Sequence, residues 1–213
     1  MTRLGRSLAL PIACALCAAV AGAKYSNDFS AAAAGKPPAD FEIAGGGAFA
    51  VVERDGNKLL ELPGELLDTF GLLFGPQQPP EASASARIQS ESSGKRFPEF
   101  GIGVGGIGGY RLMLLPAQQK LELRKGDDPL AAADLPQPWT SRSWTMLKLQ
   151  VSKTGDGKWK LEGKAWPAGQ PEPQAPSVAV DITEPPPGGR ASLWGIPFSG
   201  KPIRFDDLAV QGS

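Results

Sequence analysis

The sequence predicts an all-β protein, two antiparallel sheets packed as a sandwich. Three observations carry this expectation. Short segments alternate apolar and polar residues, Gly and Pro punctuate them (27 and 21 among 213 residues), and no helix-period pattern is sustained. Period-two alternation gives a strand one buried and one wet face, as in antiparallel sheets.

The elements follow in order. Lys24-Tyr25-Ser26-Asn27-Asp28-Phe29 and Pro202-Ile203-Arg204-Phe205-Asp206-Asp207-Leu208-Ala209-Val210 read as first and last strands lying side by side. Residues 28–40 contain Ala31-Ala32-Ala33-Ala34, but Gly35, Pro37 and Pro38 limit any helix to one turn. Strands are expected at Ala48–Glu53 and Lys58–Leu62, joined by an Asp55-Gly56-Asn57 hairpin turn. Thr69–Phe74 is the next strand, and Gly75-Pro76-Gln77-Gln78-Pro79-Pro80 reads as a loop. Ala82–Gln89, Tyr110–Leu115, Lys120–Arg124 and Trp144–Val151 follow. Thr154-Gly155-Asp156-Gly157 then turns into Lys158–Ala165, whose Trp159, Leu161 and Ala165 share a core-facing parity. The Pro-rich stretch Pro167–Pro176 is an excursion between strands of one sandwich, because too little chain follows it for a second domain. Ser177–Ile182, Arg190–Trp194 and Ile203–Val210 complete the set. In the last strand Ile203 and Phe205 share one parity and Leu208 and Val210 the other. All four face the core only if a bulge absorbs a residue at Asp206-Asp207, aiming an acidic side chain sideways.

Residues 1–23 read as a cleaved export signal. Arg3 and Arg6 precede the apolar run Leu8–Val20, which Pro11 interrupts, and Ala21-Gly22-Ala23 supplies small residues before a cleavage site. The run is shorter than the roughly 18 residues of a spanning helix. Cys14 and Cys17 lack the branched aliphatic residue of a lipobox, and they leave with the leader. The expected mature chain, residues 24–213, is one exported domain, periplasmic or secreted, without a membrane span, disulfide or thiol nucleophile. Charge is balanced, 22 Lys and Arg against 22 Asp and Glu, so there is no basic field for nucleic acid.

The chain has no histidine, which excludes imidazole metal sites, a Ser-His-Asp triad and a histidine base. Two carboxylates across a cleft suffice for a glycosidase, but no alternating acid run exists. Asp127-Asp128 and Asp206-Asp207 are adjacent pairs, which a strand sends to opposite faces, and the first reads as solvated surface. Gly101-Ile102-Gly103-Val104-Gly105-Gly106-Ile107-Gly108-Gly109 has dinucleotide-loop spacing but leads into a strand, not a helix. It reads instead as a hairpin whose small residues let another surface approach. The aromatics are the ligand candidates, because apolar sugar faces pack on aromatic rings while hydroxyls meet polar neighbours. Tyr110, Trp139 and Trp194 are chosen for that role, ahead of Trp144 at a strand start and Trp166 beside Pro167.

Three blocks together carry a resemblance. They are Trp144–Val151 with the turn and Leu161-Glu162-Gly163-Lys164-Ala165, then Gly189-Arg190-Ala191-Ser192-Leu193-Trp194-Gly195, then Phe205–Val210. Their order resembles jelly-roll domains of the concanavalin A-like lectin/glucanase superfamily, nearest to exported bacterial 3-keto-disaccharide hydrolase-like and laminin-G-like domains. The resemblance implies a two-sheet antiparallel jelly roll with one concave sheet and sugar-binding or glycan-cleaving relatives. Such relatives often carry His directly after the tryptophan where this chain has Thr145, which counts against hydrolysis. Relatives also hold structural calcium, for which Asp28, Asp206 and Asp207 are the candidates here. The preferred alternative is that these Asp residues bond backbone at the bulge, since calcium takes six to eight oxygens. No other cofactor is expected. The resulting expectation is a non-catalytic carbohydrate-binding module. A carboxylate-based glycoside or keto-glycoside hydrolase, or an interaction domain without small ligand, are its alternatives.

Overall fold

A computed structural model of the chain describes residues 24–64 and 68–212. The export-signal reading of residues 1–23, with Cys14 and Cys17, lies outside the described residues. Among the described residues no helix is long and apolar enough to cross a membrane.

The strands are β1 (Tyr25–Asn27), β2 (Glu42–Ala44), β3 (Ala50–Arg54), β4 (Asn57–Leu62), β5 (Phe70–Gln78), β6 (Ala82–Ser90), β7 (Glu99–Val104) and β8 (Tyr110–Leu115). They continue with β9 (Lys120–Lys125), β10 (Asp128–Asp134), β11 (Trp144–Lys153), β12 (Trp159–Pro167), β13 (Val178–Ile182), β14 (Gly189–Ile196) and β15 (Ile203–Gly212). Two antiparallel sheets result. The first runs β13-β12-β11-β6-β15-β4-β3, with β1 also paired to β15, and the second runs β10-β9-β8-β7-β14-β5-β2. The alternation works as expected: Ala84, Ala86 and Ile88 of β6 and Leu147 and Leu149 of β11 are buried between the sheets. From the second sheet Ile102, Leu112, Leu114 and Leu193 meet them.

The terminal strands pair, with Tyr25 opposite Val210 and Asn27 opposite Leu208. β15 is interior rather than marginal, since it also lies between β6 and β4. The bulge falls where the parity requires it. Pairing with β6 shifts register between Asp206 and Ala209, Asp207 takes φ 49°, and Phe205 and Leu208 both reach the core. The Asp55-Gly56 turn has positive φ at both residues, the geometry that matches hairpin twist.

Several expectations change. The segment 75–80 is not all loop: β5 continues through Pro76 to Gln78, because β5 lies between β14 and β2 and Arg190 Nε donates 2.8 Å to the Gly75 carbonyl. The glycine run is half strand, since β7 ends at Val104 and residues 105–109 turn into β8. Its small residues do admit another surface, for a Cβ at Gly103 would fall 2.4 Å from Ser192 Oγ. The short β2 and the edge strand β10, with Pro129 near its start, carry too little alternation to be read in advance. Trp159 has core parity but opens β12, where it is half-buried and packs against the core rather than inside it.

Candidate functional site

A hairpin and a loop bring three tryptophans to one recess. β11 and β12 pair with Thr145 opposite Pro167 and Met146 opposite Trp166, so Trp144 and Trp166 are diagonal neighbours on the outer parity, at the strand ends, while Thr145 and Ala165 have the core-facing parity. The loop after β10 adds Gln137 and Trp139. They enclose a recess of about 100 Å³, floored by Leu114, Leu135 and Ala165 and rimmed by Thr140, Ser143 and Thr145. Trp139 is only 8% exposed. Its ring meets Phe97 edge-on at 6.4 Å, and its backbone N–H donates 2.7 Å to Gln119 Oε1. Among the described residues the buried Trp139 indole N–H finds no hydrogen-bond partner, a state that typically costs about 1–3 kcal/mol.

Trp144 is braced from the β6 side. The Arg87 guanidinium carbon lies 4.5 Å from its ring centroid. Arg87 in turn pairs with Asp206, 1% exposed, and with Asp207 at 2.9 Å. Asn57 Nδ2 donates 2.7 Å to the same Asp206 oxygen. Beyond Trp166 the Pro-rich loop is pinned onto the sheet, because Glu172 accepts from Lys148 and Lys164 at 3.0 and 2.7 Å. Burial pushes the Glu172 carboxyl up, but these two lysines outweigh it and hold it below its ordinary value.

The three aromatics chosen from sequence are not neighbours. Only Trp139 lines the recess. Tyr110 opens β8 inside the intersheet core, where burial raises its phenol pKa. Trp194 lies on the opposite face of the second sheet, packed with Met113 and Leu115, and is 4% exposed. The Arg111 guanidinium covers it at 3.3 Å, and its indole N–H donates 2.8 Å to Ser192 Oγ. Trp144 and Trp166 stand in the place of Tyr110 and Trp194 at the recess. The Thr154–Gly157 turn by itself would set Lys153 opposite Lys158 and send Trp144 and Trp166 to opposite faces; the observed register sets Lys153 opposite Trp159, adds Lys158 to the connection and puts the two on one face.

Asp207 lies within electrostatic reach of both Asp206 and Asp28. Burial raises the Asp207 carboxyl, Arg87 lowers it, and Asp206 and Asp28 raise it further. The donor set nevertheless does not fit calcium. The Arg87 guanidinium supplies the positive charge, Ser30 donates its N–H and hydroxyl to Asp28, and Asp207 N–H donates to Asp206. Among the described residues no group of three or more acidic, Cys or His side chains is placed to hold a metal ion. The second sheet carries another acidic pair, Glu99 and Glu122. Burial raises Glu99, Arg124 lowers it and Glu122 raises it, while Arg124 pairs with Glu122.

No family model and no curated protein sequence matches the chain. Solved structures do. The carbohydrate recognition domain of Emp47p aligns over 84% of this chain and 91% of its own at 10% identity, TM-score 0.54. The carbohydrate-binding module CBM66 from Bacillus subtilis aligns over 81% and 96% at 10% identity, TM-score 0.56. The fold is a concanavalin A-like jelly roll. A protein of unknown function with a galectin-like fold, also from Bacillus subtilis, shares this jelly roll over 81% of this chain and 89% of its own at 11% identity, TM-score 0.57. At these identities the likeness carries the fold alone, and the jelly roll hosts more than one function.

Proposed function

We propose that the protein is an exported, non-catalytic carbohydrate-binding module whose sugar sits against Trp144 and Trp166 in the recess above Trp139. One observation carries this reading: three tryptophans line one recess whose rim is hydroxyl and amide. Indole faces remove the apolar face of a sugar ring from water, and the Thr140, Ser143, Thr145 and Gln137 groups meet its hydroxyls. Likeness to two carbohydrate-binding jelly rolls supports the ligand class. The chain's lack of histidine supports binding over turnover. The role expected for Tyr110 and Trp194 passes to Trp144 and Trp166, because the former are enclosed by the core and by Arg111.

The test is a glycan array with the purified protein, followed by calorimetry on the sugars retained. Trp166→Ala should weaken binding by about 1–3 kcal/mol, the scale of burying a large apolar side chain. Retention of sugars unchanged in both Trp144→Ala and Trp166→Ala would move the site elsewhere. A parallel hydrolysis assay addresses the other reading: turnover abolished by Glu99→Gln would make the second sheet's face an active site.

A further inference from the structure

The tryptophan recess is small for a sugar site, about 100 Å³ against a usual range of about 300–1,000 Å³. It is not isolated. Trp144 is also a wall of a second cavity of about 310 Å³ on the outer face of the first sheet, with Arg54, Asn57, Leu59, Arg87 and Gln89. Gln89 and Arg204 carry that cavity into a third, of about 350 Å³, reaching Ser90, Glu91 and Arg142. Sharing Trp144 and then Asp55, Gln89 and Arg204, the three follow one another as a track from the sandwich rim at the end of β12, round Trp144 at the start of β11, onto the outer face over β6 towards β15 and β4.

The track's chemistry restricts what it takes. It contains four arginines, yet each is already paired: Arg54 and Arg204 with Glu61, Arg87 with Asp206 and Asp207, Arg142 with Glu91. Asp55 and Glu91 line it as well. Four guanidiniums against five carboxylates, Glu61 (shared by Arg54 and Arg204), Asp206, Asp207, Glu91 and Asp55, leave no net positive charge to draw a carboxylate or sulfate on a ligand. What the track offers instead is planar, fixed hydrogen-bonding groups. Gln89 accepts 3.0 Å from Arg204 and donates 2.9 Å to the Arg142 carbonyl, which fixes its orientation while leaving its amide a second hydrogen and a second lone pair. Fixed planar donors and acceptors around an aromatic wall suit hydroxyl groups.

Building on the carbohydrate reading of the recess, we infer that the ligand is a neutral, linear oligosaccharide. One unit occupies the tryptophan recess, and the chain runs past Trp144 over Gln89 towards Arg142. Arg87 acts here as a positioning residue, holding the indole that separates the first unit from the next.

The experiment is calorimetry on the purified full chain. The probes are neutral linear oligosaccharides of one to five units (manno-, xylo-, gluco- and fructo-series) and oligogalacturonates of matched length. Affinity for one neutral series should rise about tenfold or more between one and four units and hold between low and high salt. Gln89→Ala should remove about three- to tenfold of that gain while leaving the shortest bound ligand unchanged. Arg142→Asn, at an exposed residue with φ 70° that Asn tolerates, should do the same and guards against a folding defect in the first variant. Trp166→Ala should weaken every length. Short ligands bound through Trp166 with no gain on lengthening, or a gain indifferent to both track variants, would overturn the track and leave the recess standing. Oligogalacturonates binding more tightly than neutral chains, with loss of affinity in salt, would overturn the neutral class. Failure of every probe to bind would overturn the recess and the track together.

Discussion

The Arg87 guanidinium lies over the Trp144 indole, 4.5 Å from its centroid, and the same group neutralises the buried Asp206. A wall of the candidate sugar site is thus tied to the bulge in the last strand. Arg87→Met keeps the stem but leaves Asp206 with Asn57 as its remaining side-chain donor among the described residues. Breaking a buried pair from one side costs about 3–5 kcal/mol, and the partial exposure of Arg87 reduces this to about 2–4. Chemical denaturation should show that loss, and glycan affinity at temperatures where the variant is folded should fall as Trp144 loses its brace.

The tryptophans should separate into two classes. Trp194→Ala empties a site enclosed by Arg111, Met113 and Leu115 and should lower stability by about 3–5 kcal/mol without altering sugar affinity. Trp166→Ala should lower affinity with a stability loss of about 1 kcal/mol, since the side chain is only half-buried. Unfolding curves and titrations on the same two proteins check the contrast.

A chain ending at Gly200 should not fold. It loses Ile203, Phe205, Leu208 and Val210 from the core and leaves β6, β4 and β1 without the strand they share. Burial of those side chains is worth on the order of 5 kcal/mol or more, comparable to a whole domain's stability. A cooperative melt near the parent temperature would refute this.

Acid should release the Pro-rich loop. Glu172 is held below its ordinary value of 4.5 by Lys148 and Lys164. For a carboxyl depressed in the folded state, the stabilisation is present above the ordinary value and is lost as pH falls through the folded value. Hydrogen exchange in residues 168–176 should therefore quicken below about pH 4.5. In Glu172→Gln it should be fast at neutral pH and lack that acid step.

A Cβ at Gly71 would fall 2.8 Å from the Trp194 ring. Gly71→Ala should displace that indole, shift tryptophan emission and cost about 1–3 kcal/mol, as overpacking does. Unchanged fluorescence and stability would show that the ring has room to move.

Local alternation was enough to set out most strands, because the side-chain period of a strand depends only on its own residues. It reached further at the ends: the parity break between Phe205 and Leu208 required the bulge, and the matching terminal segments do pair. Alternation fails where glycines fill one face of a strand or the strand is too short. So β7, with glycines on one face, and the three-residue β2 were not legible. The meeting of side chains is a different matter, set by register between strands and by loops that carry no period. Tyr110 and Trp194 became core and covered surface because Arg111 and the opposite sheet close over them. Trp139, Trp144 and Trp166 line one recess because a hairpin register and a loop after β10 end at one rim of the sandwich. Asp206 pairs with Arg87 because β6 sets that guanidinium directly across the ladder from it.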